Sequence, residues 1–193
     1  MTIDAAAVIL AGGQGSRIGG DKPLRTLRGE RLIDRAFRQA RCWSELVAVA
    51  VRDRAQIQPT DALILIDEPR VAGPLGGLIS ALEFGDAVGC DCVLTIAADM
   101  PLLPADLLDR LARAIGERDC ALAASGRHLH PVCGLWRTAA LRHIATYVDS
   151  DRRSLKGLAE TLGFETVEWP AEPIDPFLNI NTADDLRVAE SLL

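Results

Sequence analysis

Residues Val8-Ile9-Leu10-Ala11-Gly12-Gly13-Gln14-Gly15-Ser16-Arg17-Ile18-Gly19-Gly20-Asp21-Lys22-Pro23 decide how the rest of the chain is read. The apolar run Ala5–Leu10 is the pattern of a buried first strand. Five glycines follow between Gly12 and Gly20, with Arg17 among them and Lys22 just beyond. Glycine lets the backbone turn tightly and bring its N–H groups up to an anion, and the two cations add charge. Together they predict a polyphosphate cradle at the end of a strand. The alternative, a solvated loop without a ligand, is disfavoured because dense glycine after a first strand is usually functional. The spacing fits neither common phosphate motif. G-x-G-x-x-G, started at Gly13 and Gly15, meets Ile18 at its third position. The G-x-x-x-x-G-K-[ST] loop fails because Gly20 precedes Asp21 and Lys22 precedes Pro23.

Working outward, apolar runs alternate with helical stretches. Strands are expected over 46–51, 63–66 and 93–97, and helices over 32–40, 75–84 and 104–115. That alternation predicts an α/β, Rossmann-like three-layer sandwich: a mostly parallel sheet with helices on both faces. The second half is less regular. Strands over 121–124 and 131–136, joined through Gly126, are expected to be antiparallel. Helices are expected over 141–148 and 155–162, a strand over 165–169, and a last helix from Thr182, where Thr182-Ala183-Asp184-Asp185 reads as a capped start. With no repeat, low-complexity tract or linker, residues 1–193 are expected to form a single domain. Residues 1–115, which hold the glycine-rich stretch, would be its nucleotide-binding half and 116–193 its second half.

Composition narrows the function. The 193 residues are 49% hydrophobic and 25% charged, with a net charge of -6. An acidic chain with 4% aromatic residues is a poor candidate for nucleic acid, which selects basic surfaces and stacking platforms. No run approaches a membrane span, and Met1-Thr2-Ile3-Asp4 lacks a basic leader. Five scattered cysteines, an odd number, suit a reducing compartment. The expectation is a cytoplasmic protein, and no long apolar stripe argues against a monomer. Cys90-Asp91-Cys92 is too tightly spaced for a common zinc knuckle and is read as packing.

The chemistry converges on one edge. In open α/β sheets ligands lie outside the carboxyl ends of the strands. The glycine loop leaves the first strand there, Asp67 ends Ile64-Leu65-Ile66, and Asp99 ends Thr95-Ile96-Ala97-Ala98. A carboxylate directly after a buried strand is a rigid oxygen ligand suited to Mg²⁺, which takes one or two carboxylates plus substrate phosphates. For Asp99 the alternative is a helix cap ahead of Pro101; for Asp67 it is a turn residue. Asn179 and Asn181, at i and i+2, share a face if extended and could reach one ligand, or could cap the last helix.

The pattern Leu10-Ala11-Gly12-Gly13-x-Gly15-Ser16-Arg17 through Lys22 resembles the signature of nucleotidyltransferases that activate sugars, isoprenoid alcohols and molybdopterin. Three further stretches, Gly73-Pro74-Leu75-Gly76-Gly77-Leu78, Ala98-Asp99-Met100-Pro101 and Phe177-Leu178-Asn179-Ile180-Asn181-Thr182, are similar in order and spacing to those of the molybdenum cofactor guanylyltransferases. The resemblance implies transfer of GMP from GTP to molybdenum-molybdopterin, with transient contact to molybdopterin carrier or insertion proteins. It implies Leu10, Ala11, Gly12, Gly13, Gly15, Lys22, Asp67, Gly76 and Asp99 at the nucleotide, with Asp99 on Mg²⁺. Lys22, Arg17 and Asp99 would be the catalytic set. His130, Arg152, Arg153, Asn179 and Asn181 would meet the acceptor. Gly12 points to guanine, because the similar cytidylyl branch usually has alanine there. Ala50 departs from the family, which often has an asparagine, and leaves CTP open. A catalytically silent nucleotide-binding adaptor is the other alternative, against which Lys22 and Asp99 speak.

Overall fold

The first strand sends alternate side chains into two separate cores, and this sets the layers. The computed structural model describes residues 3–12, 22–57 and 60–192. In β1 (Ala5–Leu10), Ala5, Ala7 and Ile9 enter one core and Val8 the other. The same split recurs in β4 (Val47–Val51), where the valines pack on one face and Ala48 and Ala50 on the other. Strands buried on both faces must be covered on both faces. Over the first core lie α1 (Leu32–Ala40) and α3 (Leu107–Ala114); over the second lie α2 (Pro74–Ala87), α4 (Leu141–Asp149) and α5 (Leu155–Leu162). The three-layer expectation is met.

With β5 (Leu63–Ile66), β6 (Cys92–Ala97), β7 (Cys120–Ser125), β8 (His128–Arg137) and β9 (Phe164–Trp169), the sheet runs β5-β4-β1-β6-β8-β7-β9. All pairings are parallel except the two made by β8, which lies antiparallel between β6 and β7. The chain winds outward from β1 to β5 and then returns to the other side of β1. The β1/β6 boundary is therefore the topological switch point, where a crevice opens at the strands' carboxyl ends.

Several details depart from the sequence reading. A small hairpin, β2 (Thr26–Leu27) with β3 (Glu30–Arg31), precedes α1. Its turn residues Arg28 and Gly29 both have positive φ (52° and 82°), the geometry of a tight two-residue hairpin turn. Leu27 and Leu32 form a separate apolar cluster with Ile180 and Ala189 of α6 (Ala183–Leu192), so this hairpin anchors the C-terminal helix. α3 begins at Leu107, not Pro104; residues 101–106 are turns and irregular backbone. β8 starts earlier than expected and its register slips. Leu122 pairs with Gly134 but Ala123 pairs with His130, so Pro131, Val132 and Cys133 bulge out. Pro131 has no N–H to give a ladder, which places the bulge there.

Candidate active site

The switch point holds a cavity of about 340 Å³. β1 contributes Leu10 and, just beyond its end, Gly12; the residues after β5, β6 and β4 contribute Asp67, Asp99 and Arg52; the first turn of α2 contributes Gly77. Val132 of the β8 bulge and Asn179 close the other side. The expected convergence of Gly12, Asp67 and Asp99 on one edge is met. A larger groove, about 570 Å³, lies between α2 and α4 and carries Glu83, Asp149 and Arg153. It is walled mainly by helices, whereas the strand ends that bring the carboxylates together open on the smaller cavity.

Asp67 is only 7% exposed. Its N–H donates to Val51 O at 2.8 Å, continuing the β5 ladder. A Cβ on Gly12 would overlap Asp67 Oδ2 and stand 3.0 Å from its Cγ; one on Gly77 would stand 3.3 Å from Oδ1. The carboxylate is thus seated against the Gly12 backbone, where only glycine leaves room, and closely against Gly77. Its Oδ1 is buried and has no hydrogen-bond partner among the described residues, a costly arrangement unless a ligand supplies a donor. Burial pushes the Asp67 pKa up, and Arg52 pulls it back only in part.

That shift carries a sign. A carboxyl whose pKa is raised on folding favours the folded state at low pH, and this contribution is lost as pH rises through the folded pKa. Asp67→Asn removes the desolvated charge. The variant is expected to melt about 2–4 °C higher at pH 7, the change that ~1 kcal/mol produces in a chain of this size. The gain should fade below the ordinary carboxylate range, and thermal scans of both proteins at pH 7 and pH 3.5 measure it.

Asp99 is half-buried, and its backbone oxygen accepts the Ile180 N–H at 2.9 Å. This bond ties the 177–181 segment to the end of β6 and brings Asn179 to the cavity. Asn181 lies farther on, at the start of α6. Its N–H and that of Thr182 donate to Asp185 Oδ2, while Thr182 Oγ1 accepts the Asp185 N–H at 3.1 Å. The expected cap at Thr182 is therefore present. Ala11 is buried, and its N–H donates to Ala50 O at 2.8 Å. Ala50 is itself fully buried against α2 and offers no polar side chain to the cavity.

Helix phase separates the two glycines of the α2 start. Gly77 lines the cavity, whereas a Cβ on Gly76 would stand 2.7 Å from Val71 O, so Gly76 serves the close turn at 68–71. His130 does not line the cavity itself; it stacks on Phe177 at 4.6 Å, and each is two residues from a lining residue, Val132 and Asn179. Arg152 and Arg153 do not join this group. Arg152 lies over the Tyr147 ring and donates to Thr161 Oγ1, and Arg153 donates to Val148 O and pairs with Asp151. Gly13, Gly15 and Arg17 lie outside the described residues, as does the side chain of Lys22, which opens a short 3₁₀ turn over Lys22–Leu24. Arg52 was not anticipated. Its signal was a cation directly after the buried run Val47–Val51, on the edge already marked by Asp67 and Asp99.

An α/β sheet with two carboxylates at its switch point and a glycine-rich stretch of sequence after β1 is an arrangement suited to nucleotide chemistry. Consistent with this, the MobA-like NTP transferase domain matches residues 7–165, and the chain belongs to that family. It is 38% identical to a molybdenum cofactor guanylyltransferase of Bradyrhizobium sp. (strain ORS 278), over 99% of this chain and 94% of that one. It is also 38% identical to one of Cereibacter sphaeroides, over 96% and 95%. The fold is similar to that of molybdopterin-guanine dinucleotide biosynthesis protein A from Archaeoglobus fulgidus (TM-score 0.77, 24% identity, 97% of each chain). It is also similar to a CMP:2-keto-3-deoxy-manno-octonic acid synthetase complexed with CTP (TM-score 0.73, 16% identity, 98% of each chain). No helix among the described residues is long and apolar enough to cross a membrane.

Proposed function

We propose that this protein transfers the GMP moiety of GTP to the terminal phosphate of molybdenum-molybdopterin, forming molybdopterin guanine dinucleotide and releasing pyrophosphate. The observation that carries this reading is the pairing of Asp67 with Gly12 across from Asp99 at one switch-point cavity. The guanylyltransferase relatives support the choice of substrates.

A phosphate oxygen of the acceptor attacks the α-phosphorus of GTP, its bond to β-phosphate oxygen breaks, and pyrophosphate leaves. The nucleophile is already an anion, so the protein's work is positioning and charge neutralisation. The open oxygen of Asp67 would accept from guanine, whose N1–H and N2 amino group present two adjacent donors on one edge, where cytosine presents its N4 amino group beside acceptors. The backbone at Gly12 and the cations Arg17 and Lys22 would hold the phosphates, Arg17 as a bidentate clamp and Lys22 as a point charge. Among the described residues no group of three or more His, Cys, Asp or Glu could hold a metal alone. One carboxylate at the end of β6 still fits Mg²⁺, which completes its shell with phosphates and water. Asp99 would hold it, and when bound the ion supplies charge neutralisation to the leaving pyrophosphate. Asn179, on the far wall, would meet the acceptor.

The test is pyrophosphate release from purified protein with molybdenum-molybdopterin and Mg²⁺, GTP against CTP. Release with GTP and little with CTP is expected. Release with CTP alone would move the chain to cytidylyl transfer, the reading that the absence of an asparagine at Ala50 leaves open. Release with neither would leave a silent nucleotide binder.

A further inference from the structure

Next to the β8 bulge that gives Val132 to the cavity lies a chain of polar side chains that the transfer step does not use. Ser125, at the end of β7, is fully buried. Its hydroxyl donates to Asp175 Oδ1 at 2.8 Å and lies 2.7 Å from His130 Nε2. A hydroxyl has one proton, and with that proton given to Asp175 the Ser125 oxygen can only accept. His130 must then donate from Nε2, so its neutral ring carries the proton there and keeps Nδ1 as the lone-pair nitrogen.

The rest of the surroundings hold this arrangement. Asp175 Oδ1 also accepts the Phe177 N–H at 2.9 Å, and the Phe177 ring stacks on His130 with planes 12° apart. Trp169 of β9 meets Phe177 edge-on at 5.4 Å. Val132, two residues from His130, and Asn179, two from Phe177, both line the cavity. The imidazole is thus fixed on one face and one edge, beside the wall assigned to the acceptor. Burial pushes its pKa down; Asp175 and Glu168 oppose that, and His128 adds to it.

We propose that Ser125 and Asp175 are positioning residues that set the His130 tautomer and balance a positive charge on its ring when an anionic group of the acceptor seats beside it. The proposal rests on the acceptor lying on the Asn179 side. Without an anion beside it, the half-buried ring favours the neutral form. An arriving phosphate raises its proton affinity, and a proton from solvent adds to Nδ1 while Nε2–H stays on Ser125. The resulting imidazolium faces a carboxylate one hydroxyl away, so the cation is neutralised within the protein as well as by the substrate.

Histidine ¹⁵N NMR on the folded protein, with kinetics on the same samples, tests this. The wild-type His130 ring is expected as the Nε2–H tautomer. Asp175→Asn keeps an oxygen for Ser125 and Phe177 but removes the charge. It should retain the tautomer, titrate His130 at a pH lower by about 1, and raise the KM for the acceptor about tenfold without moving the KM for GTP. Ser125→Ala should lose the tautomer preference. An Nδ1–H tautomer in the wild type, or unchanged His130 titration in Asp175→Asn, overturns the relay. If the wild type transfers nothing, the proposed function fails, but the tautomer and titration still judge the relay.

Discussion

Asp99→Asn lowers GTP-dependent pyrophosphate release by about 10³-fold. The figure follows from the several kcal/mol that a metal supplies to a developing phosphate charge, about 4 kcal/mol being three decades in rate. Asparagine keeps the side chain's shape and gives up its charge, and the bond that anchors Ile180 uses the Asp99 backbone oxygen, which survives the change. The melting temperature should therefore stay near that of the wild type, and the loss should fall on turnover. Raising Mg²⁺ should recover part of the rate, because the weakened site still offers an amide oxygen beside the substrate phosphates. A variant that keeps more than a tenth of wild-type turnover at ordinary Mg²⁺ would remove Asp99 from the metal and return it to capping the turn before α3.

That Asp99 and Asp67 share an edge was legible before any coordinates, because both end runs of apolar residues whose alternation implies parallel strands. Polarity then follows: every such strand presents its last residues on the same side. What the sequence hid depends on smaller or longer-range geometry. The Arg28-Gly29 hairpin is too short to show a period. Gly76 and Gly77 are indistinguishable by type, and only helix phase sends one to the cavity and the other to the 68–71 turn. The Pro131 bulge breaks the two-residue alternation that would have placed Val132. Arg152 and Arg153 carry the right charge for a phosphate, but a loop's composition does not say which layer it covers, and theirs lies over the α4–α5 side. The Ser125–Asp175 contact joins residues fifty positions apart, and nothing local in either sequence marks the other.

Gly12→Ala should lower kcat/KM for GTP by about 10²-fold and flatten the preference for guanine. The added Cβ would occupy the place of Asp67 Oδ2, and the carboxylate is held on its other side by Gly77. It must therefore move or the loop must, and either change withdraws the acceptor proposed for guanine's N–H edge. Losing one or two hydrogen bonds to a charged group is worth about 1.5–3 kcal/mol each, which covers the two decades. ITP, which lacks the 2-amino group, separates a lost base contact from general damage. The wild type should prefer GTP over ITP about tenfold, and the variant should treat them alike. Asp67→Asn should behave in the same way, because asparagine presents both an N–H and an oxygen where two acceptors stood. The sharper check is the pair together. If Gly12 acts by leaving room for the Asp67 carboxylate, the two substitutions remove one interaction, and the double variant should be scarcely worse than either single one. Effects that multiply would mean that the alanine methyl crowds the nucleotide itself. Selection of the base would then rest on the bare space above Gly12, and the buried Asp67 would need another partner for its open oxygen.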